Sequence, residues 1–219
     1  MKKVLITGAN RGIGLELCRQ LTARGNMVIA ACRTASDELR ALGVQVIDGV
    51  DVGSDESVDA LRELLEDEAL DWLINNAGIL SVERLDSLDF NAMQRQFNVN
   101  SLGPLRVTAA LQSNLSAGAK VGIVTSRMGS IEDNTSGGYY GYRMSKAAVN
   151  MAGMSLARDL RDQGVAVALL HPGMVATDMT GGQGIPAEQS ASGLIQRMDE
   201  LDITTSGSFW HAQGERLPW

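Results

Sequence analysis

Short apolar runs at residues 4–6, 27–32, 44–47, 72–74, 121–125 and 165–170 alternate along this chain with longer amphipathic stretches. Runs this brief and this continuously apolar predict strands buried on both faces, and the stretches between them predict helices. Between the first two runs, Ile13, Leu17 and Leu21 recur at helical spacing and Gly25 stops the pattern, which predicts a strand–helix–strand unit. The unit then repeats. Consecutive strands joined by crossovers of about ten residues or more must lie parallel, so the chain is expected to form an α/β fold, a doubly wound parallel sheet covered by helices on both faces. A long helix is predicted over residues 142–164, which carries Ala147, Ala148, Met151, Ala152, Leu156 and Leu160 over about six turns and which Gly164 ends. Met151 and Met154 are read as core filler there. Phe209 and Trp210 predict a last strand, followed by a turn at Gln213-Gly214.

With 219 residues and no Pro-rich, Ser-rich or single-sign charged stretch to act as a linker, residues 1–219 are expected to form one domain. The formal charge is −7, and the lysines and arginines are scattered, which argues against a nucleic-acid partner. Near the N-terminus the apolar run is too short for a signal peptide or a membrane span, so a cytoplasmic protein with no membrane partner is expected. Cys18 and Cys32 are read as free buried thiols. Neither His171 nor His211 has a partner at metal-ligand spacing, and no metal is expected.

Chemistry enters immediately after the first strand, with Thr7-Gly8-Ala9-Asn10-Arg11-Gly12-Ile13-Gly14 leading into a helix. Glycines in that position let the backbone turn tightly beside a pyrophosphate, and the free N–H groups of the helix start attract its charge. This predicts a dinucleotide site in a Rossmann-type fold. Tyr142 and Lys146 lie four apart on the long helix, so they share a face, and the ammonium is expected to favour the ionised phenol. Thr125, Ser126 and Ser130 all stand near the carboxyl end of the fifth strand, where a hydroxyl can donate to a substrate oxygen. Tyr139 and Tyr140 are expected to line the substrate pocket.

The glycine spacing of Gly8, Gly12 and Gly14 resembles the Thr-Gly-x-x-x-Gly-x-Gly of the short-chain dehydrogenase/reductase family, and further motifs follow in the family's order. They are Asp51-Val52, Asn75-Asn76-Ala77-Gly78, Asn100 with Gly103, Ser126 three before Gly129, Tyr142-x-x-x-Lys146, and residues 172–177, Pro-Gly-Met-Val-Ala-Thr. The tail, with Gly214 and a final Leu217-Pro218-Trp219, is similar to the short carbonyl-reductase subgroup that includes the C-factor and sniffer proteins. The gap from Ser126 to Tyr142, with Glu132, Asp133 and Asn134 in it, is longer than usual for the family.

The resemblance implies an NADPH-dependent oxidoreductase that moves hydride between nicotinamide and a small aldehyde, ketone or quinone. It implies Tyr142 as proton donor, Ser126 as the hydroxyl that grips the carbonyl oxygen, Lys146 as support for both the phenol and the nicotinamide ribose, and Asn100 as a water or backbone link to Lys146. The implied cofactor contacts are Gly8, Asn10, Arg11, Gly12, Ile13 and Gly14 for the pyrophosphate; Asp51 and Val52 for adenine; and Asn76, Ala77 and Gly78 beside them. Tyr142, Lys146, Pro172, Gly173, Val175 and Thr177 complete the set. An NAD site places an acid just after the second strand, whereas this chain has Cys32-Arg33-Thr34 there, so Arg33 and Arg11 are expected to meet the phosphate of NADPH. The segment 177–187, with Gly181, Gly182 and Gly184, is read as a short flexible lid over an open pocket. The small residues of the long helix and the aromatic tail, together with the resemblance, imply a homodimer or homotetramer. The alternative is a dinucleotide-binding sensor or signalling protein with little turnover, because a fold and a site can outlive catalysis.

Overall fold

A computed structural model describes all 219 residues. The chain runs β1 (Lys3–Thr7), α1 (Gly12–Ala23), β2 (Met27–Ala31), α2 (Asp37–Ala41), β3 (Gln45–Ile47), α3 (Asp55–Leu64) and β4 (Leu70–Asn75). It continues through α4 (Phe90–Phe97), α5 (Gly103–Ala110), β5 (Leu115–Val124), α6 (Tyr140–Asp159), β6 (Ala166–His171), α7 (Ala187–Glu200) and β7 (Ser208–His211). All seven strands pair in parallel, in the order β3-β2-β1-β4-β5-β6-β7. The direction of winding reverses between β1 and β4, and that reversal opens a crevice at the carboxyl ends of the strands.

Side chains alternate across the sheet. Leu5, Ile29, Leu73, Val121, Val167 and Leu169 face the helices α3, α5 and α6 through one core cluster. Val4, Ile6, Val28, Ile74, Ala168 and Leu170 face α1 and α7 through the other. Helices cover the sheet on both faces, which is why these strands carry apolar residues at successive positions. Cys18 and Cys32 are unpaired and buried, and burial pushes the Cys18 thiol up to about 12.

Three boundaries move from their expected places. β5 begins at Leu115, six residues before the apolar run at 121: Leu115 pairs with Leu70, the register then shifts, and the exposed Ser116, Ala117 and Gly118 need no apolar side chains. The long helix starts at Tyr140 and ends at Asp159; Arg161–Gln163 then form a 3-10 turn that closes at Gly164. The segment 177–187 is a folded turn, pinned at its base by Ala176 N–H to the Ile185 carbonyl (2.9 Å) and Ile185 N–H to the Met174 carbonyl (2.8 Å). The small residues of α6 also have a use within the chain, since Gly153 sits against Leu169 of β6. Trp219 stacks on Phe209 with ring centroids 5.4 Å apart, so the aromatic tail is half covered by its own sheet. No helix is long and apolar enough to cross a membrane.

Candidate active site

The crevice between β1 and β4 is closed at its base by side chains acting on the main chain. Asn76 donates from Nδ2 to the carbonyls of Thr7 and Gly8, both at 3.1 Å. In return, the Thr7 hydroxyl accepts the N–H groups of Asn76 (3.1 Å) and Ala77 (3.2 Å). Gly8 has φ +66, and a Cβ there would lie 2.8 Å from the Ala77 Cα, so only glycine allows the two loops to approach this closely. Asn75 turns to the other side and donates to the Thr108 hydroxyl of α5 at 3.0 Å.

Above this base lies a cleft of about 1020 Å³. Thirteen predicted cofactor residues line it: Gly8, Asn10, Arg11, Gly12, Ile13, Gly14, Arg33, Asp51, Val52, Asn76, Ala77, Gly78 and Thr177. The start of α1 faces it with no side-chain cap on its first N–H groups, the arrangement that suits an anion. Pro172, Gly173 and Val175 are set behind the wall. The Pro172 carbonyl accepts the Ser190 hydroxyl (2.8 Å), Gly173 faces the His211 ring, and Val175 is buried in a bridge to Ile185.

Beyond the run of matched motifs, Thr34, Ile79, Arg95, Asn98 and Val99 also line the cleft. Their side chains carry no fixed spacing in the sequence, and only the fold brings them there. The rim is cationic at Arg11, Arg33 and Arg95, all exposed. Arg11 is engaged with Asp178 across the mouth at 2.7 Å, which the sequence did not foretell. Near the end of β2, Asp48 is held by Arg40 and by the Ala35 N–H (2.6 Å).

Gly78 leads from the cleft to the buried cluster. A Cβ on it would stand 3.4 Å from Asn100 Oδ1 and 3.8 Å from Lys146 Nζ, so those two groups flank the same small space. Asn100 lies in a single π-helical turn, Asn98–Leu102, between α4 and α5. The extra residue of such a turn re-aims side chains. The Asn100 amide accepts the Ile79 N–H (2.8 Å) and donates to the Ile79 carbonyl (2.8 Å) and the Ser145 hydroxyl (3.0 Å). Its connection to Lys146 therefore runs through Ser145, the residue before it in the chain. Lys146 itself donates to the Val124 carbonyl at 3.0 Å.

Ser126, Tyr142 and Lys146 are all buried. Lys146 Nζ stands 5.7 Å from the centre of the Tyr142 ring. Burial raises the Tyr142 phenol to about 12, against a smaller downward pull from its hydrogen bond with Ser126. This corrects the expectation that Lys146 would lower it. The ammonium is turned to the Val124 carbonyl, is itself pushed down to about 8 by burial, and the loss of water outweighs it. Of the three hydroxyls considered near the end of β5, Thr125 is bonded to Asn150 (2.7 Å) and Ser130 to the Asp133 N–H (3.1 Å). Ser126 is the one beside the phenol. The longer loop that follows is held by Arg127, whose Nε and Nη2 meet Asp133 at 3.1 and 2.9 Å. Tyr139 and Tyr140 do not line the nucleotide cleft, and neither do Ser126, Tyr142 and Lys146, which reach it only past Gly78.

The chain matches the short chain dehydrogenase family over residues 2–185. It is 49% identical across 226 aligned positions to the 1-hydroxy-2-glutathionyl-2-methyl-3-butene dehydrogenase of Rhodococcus sp. (strain AD45), covering 100% of both chains. It is also 49% identical over 154 positions to C-signal of Myxococcus xanthus, covering 68% of this chain and 93% of that one. Its fold superposes on the NADPH-bound carbonyl reductase from chicken fatty liver with a TM-score of 0.89 at 30% identity, over 100% of this chain and 99% of the other. With the sheet order, the Gly8 turn and the clustered Ser126, Tyr142 and Lys146 already in place, these matches give one conclusion: the chain belongs to the short-chain dehydrogenase/reductase family.

Proposed function

We propose that the protein is an NADPH-dependent carbonyl reductase, moving hydride between nicotinamide and a small aldehyde, ketone or quinone. The observation that carries this reading is the burial of Ser126, Tyr142 and Lys146 in one cluster, next to Gly78 at the wall of the cleft. The cleft fits a dinucleotide: an uncapped helix start, a glycine turn pressed on Ala77, and arginines on the rim. When bound there, NADPH supplies the hydride.

The residues of the chain do the rest. Ser126 donates a hydrogen bond to the carbonyl oxygen, and Tyr142 gives that oxygen its proton as charge develops on it. A phenol raised to about 12 is fully protonated at neutral pH, which is the form a donor needs. Lys146 holds positive charge beside the phenol and would hold the ribose, and Asn100 fixes the Ile79 loop and Ser145, the residue before Lys146. Arg33, exposed on the cleft wall, takes the phosphate that distinguishes NADPH from NADH. The Rhodococcus relative acts, by its name, on an alcohol bearing a glutathionyl group. Such an alcohol belongs in the substrate panel beside simple carbonyls. The likeness to C-signal supports a second reading, a nucleotide-binding signalling protein with little turnover. The buried Ser126, Tyr142 and Lys146 favour the enzyme, because a sensor needs only the cofactor groups.

Buried lysine also affects stability. The unfolded chain keeps the Lys146 proton up to 10.5 and the folded chain only to about 8. Folding therefore releases that proton between these values, and stability rises with pH across this window; below it the full cost of burying the charge remains. Tyr142 acts the other way, holding its proton above the ordinary 10 and favouring the folded state less as pH rises further.

Three outcomes follow. Purified protein given NADPH and a carbonyl panel should oxidise the nicotinamide, and Tyr142→Phe should lower turnover roughly 10²- to 10⁴-fold with cofactor affinity intact. Tight NADPH binding with no turnover on any compound would favour the signalling reading. Lys146→Met should raise stability at pH 7 by on the order of 2 kcal/mol while weakening both NADPH binding and turnover, and its advantage should shrink toward pH 10. Urea unfolding at the two pH values checks this; equal gains at both would show that the ammonium carries no burial cost. Arg33→Ala should reduce the ratio of NADPH to NADH efficiency about tenfold or more, the usual worth of a charge-assisted phosphate bond. Arg11→Ala should do less, since Asp178 already engages Arg11. An unchanged ratio in the Arg33 variant would remove the assignment.

A further inference from the structure

The helix that carries Tyr142 and Lys146 begins without a cap of its own. Tyr139 precedes it at φ 50, the sole non-glycine residue in the left-handed region, and its side chain bonds no N–H of the first turn. The first intrahelical bond is Arg143 N–H to the Tyr139 carbonyl, so the N–H groups before it need partners from elsewhere.

One residue, remote in sequence, supplies a partner for Gly141 in the first turn and for Tyr139 just before it. Glu83 lies on the loop after β4, between the exposed Val82 and Arg84, yet is 1% exposed itself. Its Oε2 accepts the Gly141 N–H at 3.1 Å, and its main-chain carbonyl accepts the Tyr139 N–H at 2.9 Å. Its Oε1 accepts the Ser81 hydroxyl (2.6 Å) and the Gln96 side-chain amide (2.8 Å). Gln96, equally buried on α4, returns its own oxygen to the Ser81 N–H at 3.0 Å. The fit leaves no spare room, because a Cβ on Gly141 would run into the Gln96 amide and Met93. A carboxyl group at the start of a 20-residue helix also meets the positive end of its dipole.

We propose that Glu83 is a positioning residue for carbonyl reduction: its buried carboxyl clasps the start of α6 and so sets where the Tyr142 hydroxyl stands relative to the cleft. The proposal rests on the reading of Tyr142 as the proton donor. Tyr142 follows Gly141 directly, so any drift of the first turn moves the phenol. At its other end the same loop passes through Gly78 and Ile79, which line the cleft, and Asn100 holds Ile79 by both main-chain groups. Glu83 therefore joins the wall of the nucleotide cleft to the helix of the proton donor. Burying a carboxyl under an exposed loop is costly without such partners, and a simple surface turn would not need one.

Glu83→Gln keeps the volume but turns one acceptor into a donor, and Ser81→Ala removes one of the supporting bonds more gently. With NADPH and a carbonyl that the parent reduces, Glu83→Gln should lower kcat about tenfold to a hundredfold while NADPH affinity changes less than about threefold. The deuterium isotope effect measured with NADPH labelled at the transferred position should rise, because the misplaced donor makes the chemical step limiting. Amide hydrogen exchange at residues 139–143 should quicken in the absence of cofactor. Ser81→Ala should shift all three in the same direction by less. Parent kcat in the Glu83→Gln protein, or a kcat that falls only with the folded fraction while isotope effect and exchange stay at parent values, would overturn the proposal. A parent inactive on every carbonyl would sink the proposed reaction instead, and the exchange measurement would still judge the clasp on its own.

Discussion

A lysine ammonium held away from water by a single main-chain carbonyl organises this molecule. Lys146 reaches across from α6 to Val124 at the end of β5, with no carboxylate beside it, and burial pushes it down to about 8. That contact ties α6 to the end of β5, beside the apolar packing of Val149, Leu156 and Ala157. Once the helix face is set, Tyr142 one turn earlier must lie beside Ser126, and Gly129 must press on the helix backbone, where a Cβ would come within 2.6 Å of the Lys146 main chain. The two core clusters on either side of the sheet offset the cost of keeping the charge dry.

The cleft and the buried cluster are two consequences of one strand order. Winding reverses between β1 and β4, which leaves the ends of those strands open to a ligand and lets Asn76 stitch them together. β5 lies next to β4, so Ser126 falls one strand away from the crevice. Gly78 is the hinge between the regions, lining the cleft while facing Asn100 and Lys146. Ser126 and Tyr142 would hold a substrate oxygen near that point, and a nicotinamide bound in the cleft would supply the hydride.

Much of this was legible in the sequence, because strands buried on both faces must be apolar throughout and glycines forced by close approach stand at fixed spacing. The six apolar runs marked six of the seven strands, and Phe209-Trp210 marked the last. What escaped was set by partners distant along the chain. Glu83 reads as one more charged loop residue, and nothing near it announces that Gly141 lacks a cap. His171 and His211 sit forty residues apart in the sequence yet meet edge to face at 4.9 Å, because β6 and β7 pair in register there. The ion pair of Arg11 with Asp178 depends in the same way on how the turn after β6 folds back over the glycine loop. The expected lowering of the Tyr142 phenol failed for a related reason: helix spacing brings two side chains to one face but says nothing of how dry that face is.

The central claim is that this cluster directs hydride from NADPH to a carbonyl carbon and a proton from Tyr142 to its oxygen. Following a single turnover with NADPH deuterated at the transferred position, in ordinary water, mass spectrometry of the alcohol tests it directly. The account predicts one deuterium bound to the former carbonyl carbon and none elsewhere. Oxidation of the nicotinamide without deuterium in the alcohol would contradict it.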